Sequence, residues 1–421
     1  MPKSNPNLNT ETVFSEAGCG VSHEQSADKR LVLSLPDWPD KYHQTSVSPD
    51  KINIGILTGE GIGPEVISAS VRVLSAIERS TSLNFDIRYG GLIGRNAKEA
   101  FGMALSKEVI AWTESLFKEG GAILCGPASS RFVYEMRSEF DLFCKFTPVQ
   151  PHVALRDVGV IKSAALENVD LMLVRENAGG DYFGESILET DQQGRNRVKH
   201  SFSYYADEVH RIVDVAIKLA RQRQGKLCLV IKSDGIPGVS KLWADIYTEQ
   251  TQDTELDTSI LEIDNAVYQI IAAADKFDVI VSPNMFGDIL ADNASLLLGT
   301  RGLSYSGNFG ARGIATYQTG HGAAYDIAGQ NIANPIGQIL SMAMMFRESF
   351  GLCNIAATIE ASVGQILDSG IRTPDIAVPG VTIVGTEEMG ERIAEILEVR
   401  LSAQQAPNQS QDHFRQKARQ S

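Results

Sequence analysis

Short apolar runs recur between Lys51 and Leu401, and stretches with helical periodicity separate them. Five of these runs are nearly continuous and end in polar or glycine residues, namely KINIGIL, GGAILCG, DLMLVREN, KLCLVIKSDG and FDVIVSPNMFGD. Runs of this kind are typical of strands that are covered on both faces. Because they alternate with helical patterns, the sequence predicts an α/β architecture.

The segment DEVHRIVDVAIKLARQRQGK, which follows Ala206, predicts an amphipathic helix. Acidic residues stand at its start, and Gly225 provides a stop signal near its end. Its apolar residues form one stripe at helical spacing: Val209, Ile212, Val213, Ala216, Ile217 and Ala220.

The first strand is followed by the glycine-rich segment GEGIGPE and then by apolar residues at helical spacing. Its glycines occupy positions 59, 61 and 63, which is not the GxGxxG spacing of a Rossmann dinucleotide fingerprint. Taken alone, the segment is a strand-to-helix turn in which glycine permits a positive φ. A Rossmann fold is therefore not predicted.

Composition narrows the class of protein. The chain has 421 residues, enough for two or three domains, and 43% of them are hydrophobic, as expected for a protein with a sizeable core. A formal charge of −14 without clustered Lys and Arg excludes a nucleic-acid surface. Five scattered cysteines without CxxC spacing predict neither a disulfide framework nor a zinc site, and they favour a cytoplasmic location.

Both ends of the chain are polar. Residues 1–50 are rich in Ser, Asn, Asp, Glu and Pro, without an apolar run long enough for a signal peptide or a membrane span, and predict a flexible extension. Residues 402–421 are similarly polar and predict a flexible tail. No membrane partner is expected.

The segment NMFGDILADNAS carries two carboxylates, Asp288 and Asp292, four residues apart on one helical face. Like charges at that spacing repel, so a cation between them is expected. Oxygen ligands suit Mg²⁺ or Mn²⁺ better than zinc. The alternative is a solvated acidic face near a helix start, where Asp is favoured in any case.

Ligands of open α/β sheets bind where strands end, and Arg175 and Lys232 each end an apolar run. In RENAGGDYFGE, Arg175 is placed to clamp a carboxylate and Tyr182 to donate a proton. In VIKSDG, desolvation is expected to lower the pKa of Lys232 and make it a general base. The alternatives are a structural Arg and Tyr, and a lysine that extends to water.

The loop HGAAYDIAGQNIANP, which begins at His321, combines small residues with one acid, Asp326. Small residues permit close backbone approach to a ligand. An acid in such a loop accepts both hydroxyls of a ribose and repels a 2′-phosphate. Alone, the segment is equally consistent with an ordinary loop.

Together these motifs resemble the β-decarboxylating dehydrogenases, the isocitrate and isopropylmalate dehydrogenase family, from about Lys51 to Leu401. The resemblance implies an α/β, isopropylmalate dehydrogenase-like two-domain fold. Residues 51–142 and 300–401 would form the nucleotide-binding domain, and residues 143–299 the substrate, metal and dimerisation domain. It also implies a homodimer that oxidises a 2-hydroxy acid with NAD or NADP and releases CO₂ with the help of Mg²⁺ or Mn²⁺.

The resemblance assigns a role to each matching residue. Asp288 and Asp292 look like metal ligands, with Asp264 as the third, supplied by the partner subunit. Lys232 looks like the base that takes the hydroxyl proton, and Tyr182 like the acid that protonates the enol. The remaining assignments are the carboxylate clamps Arg137 and Arg175 and the cofactor contacts Ile62, His321, Gly322, Asp326, Ile327, Ile332 and Asn334. Asp326-Ile327 stands where NADP enzymes carry Lys-Tyr, so NAD is predicted.

The chain departs from the family pattern on the substrate side. Thr147 replaces a third arginine before Pro148, and Lys145, two residues earlier on a strand-like segment, would face the same way and restore the charge. The segment SSRFVYEMR, which selects the C3 substituent, has Val133 and Tyr134 where isopropylmalate enzymes carry leucines.

Apolar bulk at Val133 and Tyr134 points to a hydrophobic or aromatic substituent, whereas Arg131 would meet an acidic one. In the same segment Ser130 replaces the glutamate that is usual in isopropylmalate enzymes. Milder departures are Glu60 for Asp, Asp234 for Asn and Tyr325 for Pro. They indicate a specialised paralogue of isopropylmalate dehydrogenase.

The leading interpretation is an NAD- and metal-dependent oxidative decarboxylase of a 3-substituted malate, a small hydroxy-diacid. An isocitrate, D-malate or tartrate dehydrogenase of the same family is the second. The third is a catalytically silent regulatory subunit, which would lose its catalytic acids or bases, whereas Tyr182 and Lys232 are present together with all three aspartates.

Overall fold

The structure is a computed structural model that describes residues 51–129 and 131–405, apart from the side chains of Arg312 and Gln405. The extension predicted over residues 1–50, Ser130 and the tail beyond Gln405 lie outside the described residues. The strands are β1 (Ile52–Leu57), β2 (Phe85–Tyr89), β3 (Ala122–Cys125), β4 (Cys144–Val149), β5 (Leu171–Glu176), β6 (Glu185–Thr190), β7 (Asn196–Ser201), β8 (Lys226–Ile231), β9 (Asp257–Glu262), β10 (Val279–Ser282), β11 (Tyr305–Phe309), β12 (Ala315–Thr319), β13 (Ile371–Arg372) and β14 (Thr382–Ile383).

Helices connect most of these strands and carry several of the candidate residues. They are α1 (Gly63–Ser80), α2 (Gly94–Phe101), α3 (Lys107–Lys118), α4 (Phe132–Glu139), α5 (Ala206–Gln222), α6 (Pro237–Thr251), α7 (Ile263–Ala272), α8 (Asn284–Ala294), α9 (Ile336–Glu348), α10 (Cys353–Asp368) and α11 (Thr386–Gln405). Among the described residues, no helix has both the length and the apolar character needed to cross a bilayer.

Ten strands form one mixed sheet in the order β2-β1-β3-β12-β11-β4-β5-β10-β8-β9. The pairs on both flanks are parallel, whereas β11 pairs antiparallel with β12 and β4, and β4 pairs antiparallel with β5. The first five positions come from residues 51–142 and 300–401, and the last five from residues 143–299. The two halves of the sheet thus come from the same residue ranges as the two predicted domains. That these ranges form separate domains stays a prediction.

The predicted strands and the predicted α5 helix are confirmed. The five apolar runs form β1, β3, β5, β8 and β10, and nearly all their residues are buried because helices cover both faces of the sheet. The α5 stripe is buried along its whole length. The α/β prediction is therefore correct.

The turn after β1 needs glycine at two positions. Gly59 and Gly61 have φ of +76° and +57°, as the sequence predicts. A Cβ on Gly61 would lie only 1.9 Å from the carbonyl oxygen of Ala323, and the Ile62 amide donates to that same oxygen at 2.9 Å. The β1–α1 turn thus packs directly against the loop that carries Asp326.

Two expectations from the sequence need correction. Helix α11 continues through Ser402 to Gln405, past the predicted boundary at Leu401, because Ala and Gln favour helix and Gln404 Nε2 donates to Thr358 Oγ1. Cys125, Cys144 and Cys228 are free and buried, whereas Cys353 is disulfide-bonded, which the cysteine spacing did not predict.

Candidate active site

Arg175 is the centre of a buried polar cluster at the end of β5. Its side chain is 3% exposed, because β5 lies inside the sheet between β4 and β10. The guanidinium donates two hydrogen bonds to Asn284 Oδ1, at 2.9 and 2.7 Å, and forms an ion pair with Asp288. Both partners belong to α8, which begins directly after β10. The pairing of β5 with β10 thus places the predicted clamp against a predicted metal ligand.

Tyr182 donates a hydrogen bond to the same carboxylate. It lies in a short 3-10 turn, Gly180–Phe183, and its Oη is 2.8 Å from Asp288 Oδ2. Burial, and then the hydrogen bond to Asp288, raise the pKa of Tyr182 well above its ordinary value. The phenol keeps its proton at neutral pH, as a proton donor must.

The two acids of α8 are each paired with an arginine. Burial alone would raise the pKa of Asp288, but the charge of Arg175 and the hydrogen bond from Tyr182 hold it below its ordinary value. Asp292, one turn later, forms a 2.7 Å ion pair with Arg301. The sequence predicts one cation between the acids, whereas within one chain two separate guanidiniums neutralise them.

Lys232 and Asp264 form a separate pair. Lys232 follows β8, Asp264 lies in the first turn of α7, and Lys232 Nζ is 2.6 Å from Asp264 Oδ1. The prediction that desolvation lowers the pKa of Lys232 is wrong for this chain. The side chain is 37% exposed and beside two carboxylates, those of Asp264 and Glu262, and the pKa is raised, chiefly by the Asp264 hydrogen bond.

Asp264 therefore does not join the acids of α8 within one chain. In the part of the chain that the structure describes, no group of three or more His, Cys, Asp or Glu side chains could hold a metal ion. Because Asp264 is 70% exposed, it is available to a second molecule. Its role as a ligand supplied by a partner stays a prediction.

Arg137 and Lys145 add two buried cations beside Arg175. Their exposures are 5% and 8%, and neither has an ion-pair partner among the described residues. Burial, reinforced by the charge of Arg175, lowers the pKa of Arg137 to about 9. Burial and the charges of both arginines lower the pKa of Lys145 to about 7. Three cations thus converge, offset by the α8 acids and, for Arg137, by Glu176, which is an arrangement that favours a bound anion.

The position of Lys145 follows from strand register. Residues 144–149 form β4, as the strand-like pattern predicted, and Lys145 pairs with Arg175 of β5. Directly paired residues lie on the same face of a sheet, as do residues two apart in one strand, so Lys145 shares its face with Thr147. The geometry is the one expected if Lys145 supplies the charge that Thr147 lacks.

The helix α4 and its N-cap residue bring Tyr134 and Arg131 to the same cluster. The guanidinium of Arg131 lies 5.0 Å from the centre of the Tyr134 ring, and that of Arg137 lies 5.5 Å from it. The Tyr134 ring also meets Tyr182 edge to face at 5.4 Å. Val133 instead lines a small cavity beneath α4, with Phe132, Met136 and Arg137 among its neighbours. Tyr134 therefore contacts Tyr182, the candidate proton donor, whereas Val133 lines the cavity.

The predicted nucleotide contacts form a second, more apolar group. Ile62 packs with Val66 and Ala333, and Ile327 packs against that cluster. His321 Nδ1 lies 2.9 Å from the carbonyl oxygen of Gly322, and its buried Nε2 has no partner among the described residues. Burial lowers the pKa of His321, so the ring is neutral and Nε2 is free to accept a hydrogen bond.

The other nucleotide candidates differ in accessibility. Asp326 and Gly322 are exposed, and a Cβ on Gly322 would meet nothing within 4 Å, which leaves room for a ligand. Ile332 is half-buried. Asn334 is 5% exposed and fully engaged, since Nδ2 donates to Asp375 Oδ2 at 3.2 Å and Oδ1 accepts from the Ile336 amide at 3.0 Å.

Asn284 is a site residue that the sequence analysis missed. It is fully buried at the start of α8 and binds Arg175 through Oδ1, the carbonyl oxygen of Gly179 through Nδ2 at 2.7 Å, and Tyr204 Oη through its backbone amide at 3.0 Å. Asn284 thereby fixes the clamp and the loop that carries Tyr182. A polar residue directly after β10 was visible in the sequence and met the same strand-end criterion as Arg175.

The comparisons with known proteins agree with this geometry. A family profile described as isocitrate/isopropylmalate dehydrogenase matches residues 53–393. The chain belongs to this family. It is therefore an enzyme, a dehydrogenase that oxidatively decarboxylates a hydroxy acid, and the predicted family, enzyme class and fold are confirmed.

Relatives of this isocitrate/isopropylmalate dehydrogenase family member match over nearly their whole length. The 3-isopropylmalate dehydrogenase of Synechococcus elongatus is 39% identical over 361 residues, which cover 83% of this chain and 98% of the relative. That of Carboxydothermus hydrogenoformans is 39% identical over 359 residues, 81% of this chain and 93% of the relative. The crystal structure of isocitrate dehydrogenase from Methylococcus capsulatus superposes with a TM-score of 0.73 at 27% identity, covering 82% of this chain and 99% of that one.

Proposed function

We propose that the protein is an NAD-dependent dehydrogenase that oxidatively decarboxylates a 3-substituted malate with Mg²⁺ or Mn²⁺ and works as a homodimer. The observation that carries the proposal is the convergence of Arg137, Lys145 and Arg175 beside a protonated Tyr182 and an ionised Asp288. Buried cations attract an anionic substrate, and a neutral phenol next to them supplies a proton.

The three cations match the two carboxylates of a malate. Arg137 and Arg175 carry planar guanidiniums that bind carboxylates through two hydrogen bonds, whereas the Lys145 ammonium acts as a point charge. Because all three side chains are buried, their charges act in a low-dielectric environment and strongly favour binding of an anion. A neutral hydroxy compound of the same shape would leave these charges uncompensated.

The acids of α8 fit a divalent metal. Asp288 and Asp292 offer carboxylate oxygens one turn apart, and Mg²⁺ commonly uses one or two protein carboxylates with substrate oxygens and water as its other ligands. When bound, the ion would polarise the oxygen at C2 and stabilise negative charge there during both oxidation and decarboxylation. Asp264 of a second copy would complete the set, in agreement with its exposure.

Two residues of this chain would move the protons. Lys232, after releasing its own proton to water, would accept the hydroxyl proton at Nζ during hydride transfer from C2 to the dinucleotide, and Asp264 would hold Nζ in place. Tyr182 would deliver its Oη proton to C3 of the enol that remains after CO₂ has left. Asp288 orients that phenol in the meantime through the 2.8 Å hydrogen bond.

The second group of residues fits a dinucleotide. The apolar cluster around Ile62 and Ile327 offers a surface for a base or ribose, and His321 Nε2 offers a buried acceptor without a partner in the described chain. Asp326 is exposed beside them, and its negative charge would accept ribose hydroxyls and repel a 2′-phosphate. These features support NAD over NADP.

Exposed apolar surface supports the homodimer. The β6–β7 hairpin is exposed on both faces, with Leu188 and Val198 at 71% and 67% exposure. Tyr268 of α7 and Ile289 of α8 are also exposed, at 68% and 45%. Exposed apolar side chains of this kind mark an interaction site, and α7 and α8 carry all three candidate metal ligands.

The test is a coupled assay of NADH and CO₂ formation with purified full-length protein and Mg²⁺ or Mn²⁺. The panel contains malates that carry alkyl, aryl or carboxyalkyl groups at C3, together with isocitrate, D-malate and tartrate. We expect NADH and CO₂ in equal amounts with at least one 3-substituted malate. Turnover of D-malate or tartrate alone would assign the protein to another activity of the family, and no turnover of any compound would support a silent subunit.

A further inference from the structure

Two positions that depart from the family pattern in the sequence, Glu60 and Tyr325, meet in the structure. Glu60 lies in the β1–α1 turn and is 1% exposed, although it carries a carboxylate. Tyr325 lies in the loop of Asp326, 265 residues later in the chain, and its Oη donates to Glu60 Oε2 at 3.0 Å. A buried carboxylate is costly unless donors surround it, so the other contacts of Glu60 matter.

Three further donors surround the carboxylate of Glu60. The Asn96 amide, in the first turn of α2, donates to Oε1 at 2.6 Å. The amide and the hydroxyl of Ser129 donate to Oε2 at 2.8 and 2.5 Å. Ser129 Oγ also lies 2.8 Å from Tyr325 Oη, so the two hydroxyls contact each other as well as the acid. Three segments that are distant in sequence thus converge on the carboxylate of a fourth.

The electrostatics show that this carboxylate is an anion. Burial acts to raise the pKa of Glu60, but the hydrogen bonds from Ser129, Asn96 and Tyr325 together outweigh burial and hold the pKa below its ordinary value. Hydrogen bonds to a charged acceptor are about twice as strong as neutral ones. The hydrogen bonds to Glu60 are therefore strong enough to hold the segments of Asn96, Ser129 and Tyr325 in place.

These segments belong to both sides of the candidate active site. Tyr325 immediately precedes Asp326, and Glu60 lies two residues before Ile62, so both belong to the nucleotide side. Ser129 lies two residues before Arg131 at the start of α4, the helix that carries Tyr134 and Arg137. The Arg95 guanidinium, 4.6 Å from the centre of the Tyr325 ring, fixes the orientation of the phenol from the α2 side.

We propose that Glu60, Ser129 and Tyr325 form a positioning junction that couples the nucleotide loop to the substrate helix α4. None of the three touches the reacting atoms in this proposal; they act by holding Asp326 on one side and Arg137 on the other. The inference rests on the proposed function for its kinetic readout. Its consequence is that a change on one side of the junction alters binding of the ligand on the other side.

The test uses single-oxygen deletions on the two sides. Tyr325→Phe keeps the ring and its contact with Arg95 but removes the hydroxyl, and Ser129→Ala removes the other hydroxyl. The matched control is Tyr89→Phe, since Tyr89 is 56% exposed at the end of β2 and belongs to neither side. Each full-length variant is compared by its melting temperature, by NAD affinity from titration calorimetry, and by kcat and KM with 3-isopropylmalate as the probe.

Tyr325→Phe should raise the KM for the hydroxy acid, and Ser129→Ala should weaken NAD binding, each by about three- to tenfold, because only part of the free energy of one hydrogen bond to a charged group reaches the opposite side. For each ligand, the double variant should bind no more weakly than the weaker of the two single variants, because both hydroxyls bind the same carboxylate. The control should match the wild type. Effects confined to the ligand on the altered side, or additive losses, would overturn the proposal.

Amide hydrogen exchange separates this inference from the proposed function. In Tyr325→Phe, exchange should accelerate in the peptide that covers α4 and in the first turn of α2, because Glu60 holds both. This measurement needs neither cofactor nor substrate. If the wild type fails to bind NAD, the proposed function fails while the exchange data still decide the junction; acceleration limited to the Tyr325 loop would count against it.

Discussion

The substrate side and the nucleotide side of the candidate active site are stabilised in opposite ways. The substrate side is a buried charge cluster in which Arg137, Lys145 and Arg175 have shifted pKa values or short ion pairs. The nucleotide side is an apolar patch with exposed Asp326 beside it. Electrostatic interactions are stronger in a buried environment, so changes on the substrate side should have larger effects than changes on the nucleotide side.

The largest effect is expected at the proton-transfer and metal positions. Lys232→Ala and Asp288→Asn should each lower kcat by about 10²–10⁴-fold, the usual contribution of a positioned acid or base. Lys232 is bound to Asp264, so if Asp264 reaches the site of the partner subunit, Lys232 reaches it too, whereas Asp288 stays in the site of its own chain. A refolded equal mixture of the two variants should therefore regain activity. Half of the dimers would be mixed and each would have one intact site, so about a quarter of wild-type activity is expected.

The measurement is NADH formation after co-refolding, with each variant refolded alone as the control. A mixture as inactive as its components, although mixed dimers are present by native mass spectrometry, would refute shared sites. It would not by itself change the roles of the two residues.

The next largest effect concerns Lys145. Arg137, Arg175, Asp288 and Asp292 face its ammonium, and its pKa is about 7 in the ligand-free chain. Below pH 7 the side chain is charged and binds a carboxylate, and as pH rises through 7 the charge is lost. Lys145→Ala should therefore raise KM by about 10–100-fold at pH 6 and by much less above pH 8.

Lys145→Arg is the control, since a guanidinium keeps its charge over this range. Its KM should depend less on pH than that of the wild type, as measured from initial rates between pH 6 and 9. An unchanged KM for Lys145→Ala at pH 6 would dispose of the idea that Lys145 replaces the missing arginine at Thr147.

A smaller effect is expected on the nucleotide side. The wild type should prefer NAD over NADP, and Asp326→Ser should reduce that preference by about tenfold, since one exposed charge repels the 2′-phosphate. The ratio of kcat/KM for the two cofactors measures it, with Asp275→Ser, an exposed acid in another region, as the control. Wild-type preference for NADP by more than about tenfold would show that the role of Asp326 is wrong.

The smallest effect on kcat is expected at Glu176, whose charge state affects stability and not catalysis. Glu176 is fully buried, and burial raises its pKa to about 7, despite hydrogen bonds from the Ala178 and Gly179 amides. The folded chain therefore holds this proton between pH 4.5 and 7, whereas the unfolded chain loses it. The stabilisation is complete below pH 4.5 and is lost as pH rises through 7, a difference on the order of 3 kcal/mol.

Glu176→Gln should remove this pH dependence. Its free energy of unfolding in urea should change less between pH 5 and 8 than that of the wild type, with kcat changed by less than about threefold. An identical pH dependence in both proteins would contradict the burial argument.

The family and the main strands were predictable because both depend on short segments. The run LMLVRE identified a buried strand and its terminal arginine, and NMFGDILADNAS identified two acids on one helix. The pKa of Lys232 was predicted with the wrong sign, since Asp264, 32 residues away, and Glu262 lie beside it. Asn284 was overlooked because its role depends on three separate partners.

By itself the sequence determined the α/β class, the strand-end positions of Arg175 and Lys232, the helical pairing of Asp288 with Asp292, and the family. These features follow from periodicity and from side-chain type, which are local properties of the chain. Only the tertiary structure decided which arginine neutralises each acid, how far the Lys145 pKa falls, and that Glu60 meets Tyr325. Burial and Coulomb interactions depend on the distances between side chains far apart in sequence, and folding alone sets those distances.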